Sequence, residues 1–175
     1  MGSLPKLLTR LLAGCALAAG ALAVAASPAA ADTVKIQRSI PFASTAQVTA
    51  AVRDSCQLQT KVPEFIKESA GGSVEVVDGP LNRKLGRVLE MEISEVHAAG
   101  GGAFSGPKWM SVKGELFDRG KQIGSFRAKR FTTGGAFGAF KGTCSIIGRC
   151  TKALGQDIAS WLAAPTQNAE IGDAR

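Results

Sequence analysis

Apolar and polar positions change period several times along the chain, and each change marks an element. Val34, Ile36 and Ile40 fall on alternate positions with Arg38 in the remaining place, which predicts a first strand ending at Pro41. Ser44 followed by Gln47 has the spacing of a capping box, and Val48, Val52, Cys56 and Val62 then carry an apolar stripe down a helix. Pro63 is expected to interrupt that helix, with Glu64 to Ser69 adding a turn that packs Phe65 and Ile66 before Gly71-Gly72 stops it. Ser73 to Val77 reads as a short strand leading into a turn at Asp78-Gly79-Pro80. From Gly86 the period is two again, with Leu89, Met91 and Ile93 on one face and Glu90, Glu92 and Ser94 on the other. Met110, Val112 and Leu116 point inward on the next strand against Lys113 and Glu115, and the turn Asp118 to Lys121 joins it to Gln122–Phe131 as a hairpin. Cys144, Ile147, Thr151, Leu154, Ile158 and Trp161 repeat at helical spacing until Pro165.

The order is therefore β-α-β-β-β-β-α. It predicts an α+β fold, a two-layer sandwich in which a mostly antiparallel meander sheet is covered on one face by two helices. Residues 32–165 form the single domain and residues 166–175 read as a flexible C-terminal tail. Trp109 and Trp161 both sit where the pattern buries them. The outward strand positions carry both signs of charge, so a solvated, internally paired face is expected. Arg127, Lys129 and Arg130 become an anion-binding patch only if they stand unpaired.

Gly101-Gly102-Ala103-Phe104 recurs as Gly134-Gly135-Ala136-Phe137, each followed four residues later by a lysine, Lys108 and Lys141. If the long strands run up, down and up, both segments leave the sheet at the same end. Two glycine-rich loops would then lie side by side as a rim in which Phe104, Lys108, Phe137, Phe140 and Lys141 meet a partner. The bland alternative is that Phe104, Phe137 and Phe140 tuck back over the end of the core. Lys141-Gly142-Thr143 inverts the order that a phosphate loop requires, so nucleotide binding is not expected.

The N-terminus adds an address. Lys6 and Arg10 precede an apolar run over Leu11–Ala26, and small residues over 27–31 precede the first acid, Asp32, which is the pattern of a secretory signal peptide spanning residues 1–31. The expected location is periplasmic or secreted. Leu12-Ala13-Gly14-Cys15 also resembles a lipobox, and an outer-membrane lipoprotein anchored through Cys15 is the second reading; the apolar run continuing past Cys15 argues against it. The chain holds 21 basic residues against 14 acidic ones, a formal charge of +7, and losing Lys6 and Arg10 with the leader leaves +5. That mild excess suits diffuse attraction to anionic surfaces.

Cleavage after Ala31 leaves Cys56, Cys144 and Cys150, so one thiol stays free or pairs outside the chain. Cys144 bridges Cys150 only if it precedes the helix, Cys56 can meet either, and three buried thiols are the remaining alternative. A bridge from Cys56 to Cys144 would close about 88 residues and contribute on the order of 4 kcal/mol in the chain-entropy model.

Catalytic parts are few. His97 is the sole histidine, no Gly-x-Ser-x-Gly elbow or Cys-x-x-Cys pair occurs, and the carboxylates lack metal-ligand spacing. No enzyme activity, cofactor, metal or nucleic-acid partner is expected. The expected partner is another cell-envelope protein, with peripheral membrane or polyanion contact as the alternative.

Gly101 to Trp161 resembles an exported bacterial family known as domain of unknown function 4410. The likeness lies in the glycine-bearing loop, the strand Trp109-Met110-Ser111-Val112, the Asp118–Lys121 turn and the helix over 152–159. In its order of elements the chain is also similar to small α/β domains of periplasmic assembly proteins, including the curli-secretion lipoprotein and the N-terminal domain of the Tol translocation protein. The resemblance implies the fold, and it supplies no activity and no catalytic residues.

Overall fold

A computed structural model of the chain describes residues 33–133 and 140–174. The N-terminal residues with Cys15 and the segment with Phe137 lie outside the described residues. Elements follow in the order β1 (Val34–Gln37), α1 (Ala50–Ser55), α2 (Leu58–Ala70), β2 (Val74–Val77), β3 (Arg87–His97), β4 (Lys108–Asp118), β5 (Lys121–Thr132), α3 (Thr143–Ala163) and β6 (Ala169–Gly172), with a 3-10 turn at Gly102–Ser105 between β3 and β4. The six strands form one sheet ordered β2-β1-β3-β4-β5-β6. Its centre is the antiparallel meander β3-β4-β5, and three short parallel pairings flank it. The expected α+β sandwich is the fold.

The two-residue period explains which face the helices cover. Leu89, Met91 and Ile93 on β3, Met110, Val112 and Leu116 on β4, and Phe126 and Ala128 on β5 are buried with Val62, Ile66, Ile147, Leu154 and Ile158 of the helices in one core. The pattern breaks once inside β3. A bulge between Ile93 and Glu95 inserts Ser94, so Glu95 pairs with Ser111 and Val96 with Met110. Were the strand regular, Ser94 would take the place opposite Ser111 and Glu95 would fall on the core face opposite Met110.

Several expectations are corrected. First, Pro63 lies inside α2 and does not interrupt it. A proline there leaves the carbonyl four residues back without a helical donor, and Ile40 N–H donates to that carbonyl, Gln59 O, at 3.1 Å. The break falls earlier, at Gln57, whose φ of 53° turns the chain between α1 and α2. Helix α1 is capped by Thr49, whose hydroxyl accepts from Val52 N–H, and not by Ser44. Second, the C-terminal residues are ordered against the sheet. Beyond Pro165, β6 runs parallel to β5, Asp173 N–H donates to Lys129 O at 2.8 Å, and Asp173 accepts from Phe131 N–H. The exposed edge of β5 supplies unpaired backbone groups, and Ala169 and Ile171 add apolar contact with the core. Third, Trp109 is only half-buried, whereas Trp161 is in the core.

The helix layer is held together at two points. Cys56 and Cys144 form a disulfide with Cα atoms 4.9 Å apart, linking the end of α1 to the first turn of α3, and Cys150 remains a buried free thiol. Burial, with Asp173 adding to it, pushes the Cys150 thiol up to about 11, so it stays protonated and unreactive at neutral pH. Further along α3, Gly155 lies against α2 so closely that a Cβ there would stand 2.8 Å from the backbone carbon of Phe65.

Two stability tests follow from these contacts. Gly155→Ala forces the two helices apart and should lower stability by about 1–3 kcal/mol in urea unfolding, since the obstructing atoms include backbone. Cys56→Ala with Cys144→Ala should cost about 2–5 kcal/mol, and reductant should shift the wild-type midpoint while leaving that of the double variant in place.

Candidate functional site

Two segments of the chain converge where β3 and β5 end and β4 and α3 begin. The hydroxyl of Thr143, the first residue of α3, donates to Ala99 O at 3.2 Å and accepts from Gly102 N–H at 3.3 Å. The first glycine-rich segment thus meets the chain at residues 141–143, whereas residues 134–137 of the second lie outside the described residues. Gly102 has φ +61° and a Cβ there would stand 2.5 Å from Lys141 O, so only glycine lets the segments approach this closely.

The residues of the expected rim separate into two groups. Phe104, on the 3-10 turn, and Phe140, just before α3, are 85% and 88% exposed. Neither tucks back over the core. Lys141 is half-buried beside them. Lys108 differs: it is fully buried, and its Nζ donates to Ser105 Oγ at 2.7 Å and Gly106 O at 3.0 Å. The strand period explains this, because Lys108 shares the helix-facing side of β4 with Met110 and Val112. It holds the Phe104 loop from beneath and is not a contact residue. Ser105 Oγ reaches Ala99 O and Gly102 O within the same loop.

On the open face of the sheet the same end carries aromatic side chains in register. His97 pairs with Trp109, and Trp109 with Phe131, across β3, β4 and β5. The His97 and Trp109 rings stack at 3.6 Å between centroids and 7° between planes, and Phe131 is 59% exposed. His97 also borders a crevice of about 450 Å³ lined by Val48, Val52, Val96 and Ala98. A shallow groove of about 810 Å³ crosses the middle of the open face over Glu92, Lys113, Glu115 and Arg127. Among the described residues no group of histidine, cysteine, aspartate and glutamate is placed to hold a metal ion, and no helix is long and apolar enough to cross a membrane.

Arg127, Lys129 and Arg130 do not meet the condition set for an anion patch. Arg127 and Lys129 both reach Glu95 on the open face, at 3.0 and 3.7 Å. Arg130 is on the opposite face, where its guanidinium pairs with Asp157 of α3 at 2.7 Å and with Asp173 at 3.2 Å. Alternation along β5 thus divides the three cations between two surfaces. Burial alone would raise the pKa of Glu95. The hydrogen bond from Ser111 Oγ and the charges of Lys129 and Arg127 outweigh that effect, leaving it below the usual carboxylate range.

No protein-family model and no curated protein matches the chain. Among solved structures it is similar to one described as an uncharacterized protein, at 12% identity and a TM-score of 0.52, covering 74% of this chain and 92% of that one. It is also similar to the PelC dodecamer from Paraburkholderia phytofirmans, at 16% identity, TM-score 0.44 and coverage of 71% and 86%. A third is a minor lipoprotein from Acinetobacter baumannii, at 14% identity, TM-score 0.36 and coverage of 74% and 92%. At these identities the first likeness speaks to the fold alone.

Glu95 supplies a test with a defined sign. A carboxylate whose folded pKa is depressed stabilises the fold above its unfolded pKa, and that contribution is lost as pH falls through the folded value. Glu95→Gln should therefore be less stable than wild type at pH 7, and the difference should close as pH drops below the ordinary carboxylate range. The measurement is thermal melting of both proteins across that interval.

Proposed function

We propose that the chain is an exported, non-enzymatic module of the bacterial cell envelope that acts by contact, through the end of the sheet bearing Phe104 and Phe140. The observation that carries this reading is the placement of exposed apolar side chains. Among the described residues, four large hydrophobic side chains stand out as exposed, Leu85, Phe104, Phe131 and Phe140, and the three phenylalanines belong to this end. Isolated exposed apolar residues are ordinary on a protein surface; a group of rings on segments held together by Thr143 and Gly102 is a recognition feature.

Export is supported by two independent features. The first 31 residues have the order of charge, apolar run and small residues of a signal peptide, and the Cys56–Cys144 disulfide belongs in an oxidising compartment. The resemblance to the domain of unknown function 4410 family fits the same assignment. The alternative, a polyanion site on the strand face, loses its support because its three cations are ion-paired.

A photoreactive phenylalanine analogue at position 104 or 140 should cross-link to an envelope component in cells, whereas the same analogue at Glu68, exposed on α2, should not. Phe104→Ser combined with Phe140→Ser should reduce capture by at least about tenfold at an unchanged melting temperature. Equal cross-linking from all three positions would sink the reading.

A further inference from the structure

The charge distribution around the exposed phenylalanines identifies what they meet. No aspartate or glutamate occurs from Val96 to Gly114 or from Arg119 to Gln156, and the end of the sheet is built from the middle of these two stretches. Residues 129–152 alone contribute Lys129, Arg130, Lys141, Arg149 and Lys152. Glu95, on the open face, pairs with Lys129, and Asp157 and Asp173, on the helix face, pair with Arg130. None of the three is paired with Lys141, which adjoins Phe140, or with Lys108, whose buried Nζ has only neutral oxygens as partners. The segment around Phe104 is otherwise small and yielding, with Gly101, Gly102, Ala103, Ser105 and Gly106 as neighbours.

From this we infer that the Phe104–Phe140 end docks on an anionic lipid surface, with the two rings entering the boundary between headgroups and acyl chains and Lys141 meeting the phosphates. This rests on the reading of that end as the contact surface and names its partner. The observations favour a bilayer over a protein because the rings project from separate segments, Phe104 on the 3-10 turn and Phe140 before α3, and each is almost fully exposed. Small residues around Phe104 leave its ring free to sink, and an acid-free surround meets no repulsion from phosphate. A protein partner would have to present a complementary acidic, cavity-bearing surface, and nothing in the fold demands one.

The test uses the exported protein recovered from the cell envelope, in flotation with vesicles of phosphatidylglycerol and phosphatidylcholine in equal parts and with vesicles of phosphatidylcholine alone. Binding should be on the order of tenfold stronger to the anionic vesicles and should weaken as salt rises from low to physiological strength. Phe104→Ser with Phe140→Ser, and separately Lys141→Glu, should each lower binding to anionic vesicles by on the order of tenfold, with melting temperature unchanged. Because none of these side chains is in the core, the variants should fold. Indifference to lipid charge, or unaltered binding by the double phenylalanine variant, would overturn the inference. If vesicles are not bound while cross-links from positions 104 and 140 to a protein persist, the contact reading stands and the lipid assignment fails. If both are absent, both readings fail.

Discussion

The helices touch each other over one face of the sheet, and most of what is distinctive about this protein depends on that contact. Gly155 removes the side chain that would keep α3 away from Phe65, so the two long helices share a layer thin enough to seal the core. The disulfide then ties the beginning of α3 to the end of α1. Its second half-cystine, Cys144, directly follows Thr143, the residue whose hydroxyl holds Ala99 and Gly102. A bond that constrains the helix layer therefore also fixes the base of the loop that exposes Phe104. Core stability and surface presentation are joined through two adjacent residues.

Much of the fold was legible in the sequence because alternation along β3, β4 and β5 is strong. Leu89, Met91, Ile93, Met110, Val112 and Leu116 were each placed on the face where they are found. What failed had local physical causes. A lone proline reads as a break, yet Pro63 is accommodated because Ile40, distant in sequence, takes the carbonyl it frees. The C-terminal residues have weak strand character of their own, and β6 forms because β5 offers an unpaired edge and Asp173 can bridge to Arg130. Val88 and Phe117 show the same limit: they pair on the open face and are buried there, with the Arg83 guanidinium lying 4.1 Å from the Phe117 ring centroid. That cover comes from a loop whose path no periodicity encodes.

The site was legible in outline and wrong in one instructive detail. The up-down-up topology predicts that both glycine-rich loops leave the sheet at one end; the first is found there, with Gly102 against Lys141 and Thr143, and the second lies outside the described residues. Lys108 belongs to the expected rim by its place four residues after Phe104 in the repeat, yet it is fully buried. Its position two residues before Met110 was the available signal, since alternation that buries Met110 and Val112 also buries Lys108. The cost of enclosing it is met by Ser105 and Gly106. The aromatic register His97–Trp109–Phe131 needed the strand pairing itself, which depends on the bulge.

That bulge also sets where charge is neutralised. Ser94 is the extra residue that turns Glu95 to the open face, where it accepts from Ser111 and attracts Arg127 and Lys129. Glu95 is the last acid before Glu115, so bulged rather than regular pairing at Ser94 decides whether the basic side of β5 finds a partner. With the bulge, the middle of the open face is internally paired and the basic character moves to the end of the sheet, around Lys141 and the exposed phenylalanines. Without it, Glu95 would be driven toward the core and Arg127 and Lys129 left to attract anions along the strand. The same local irregularity that preserves the core pattern thus separates a neutralised face from a cationic, aromatic end.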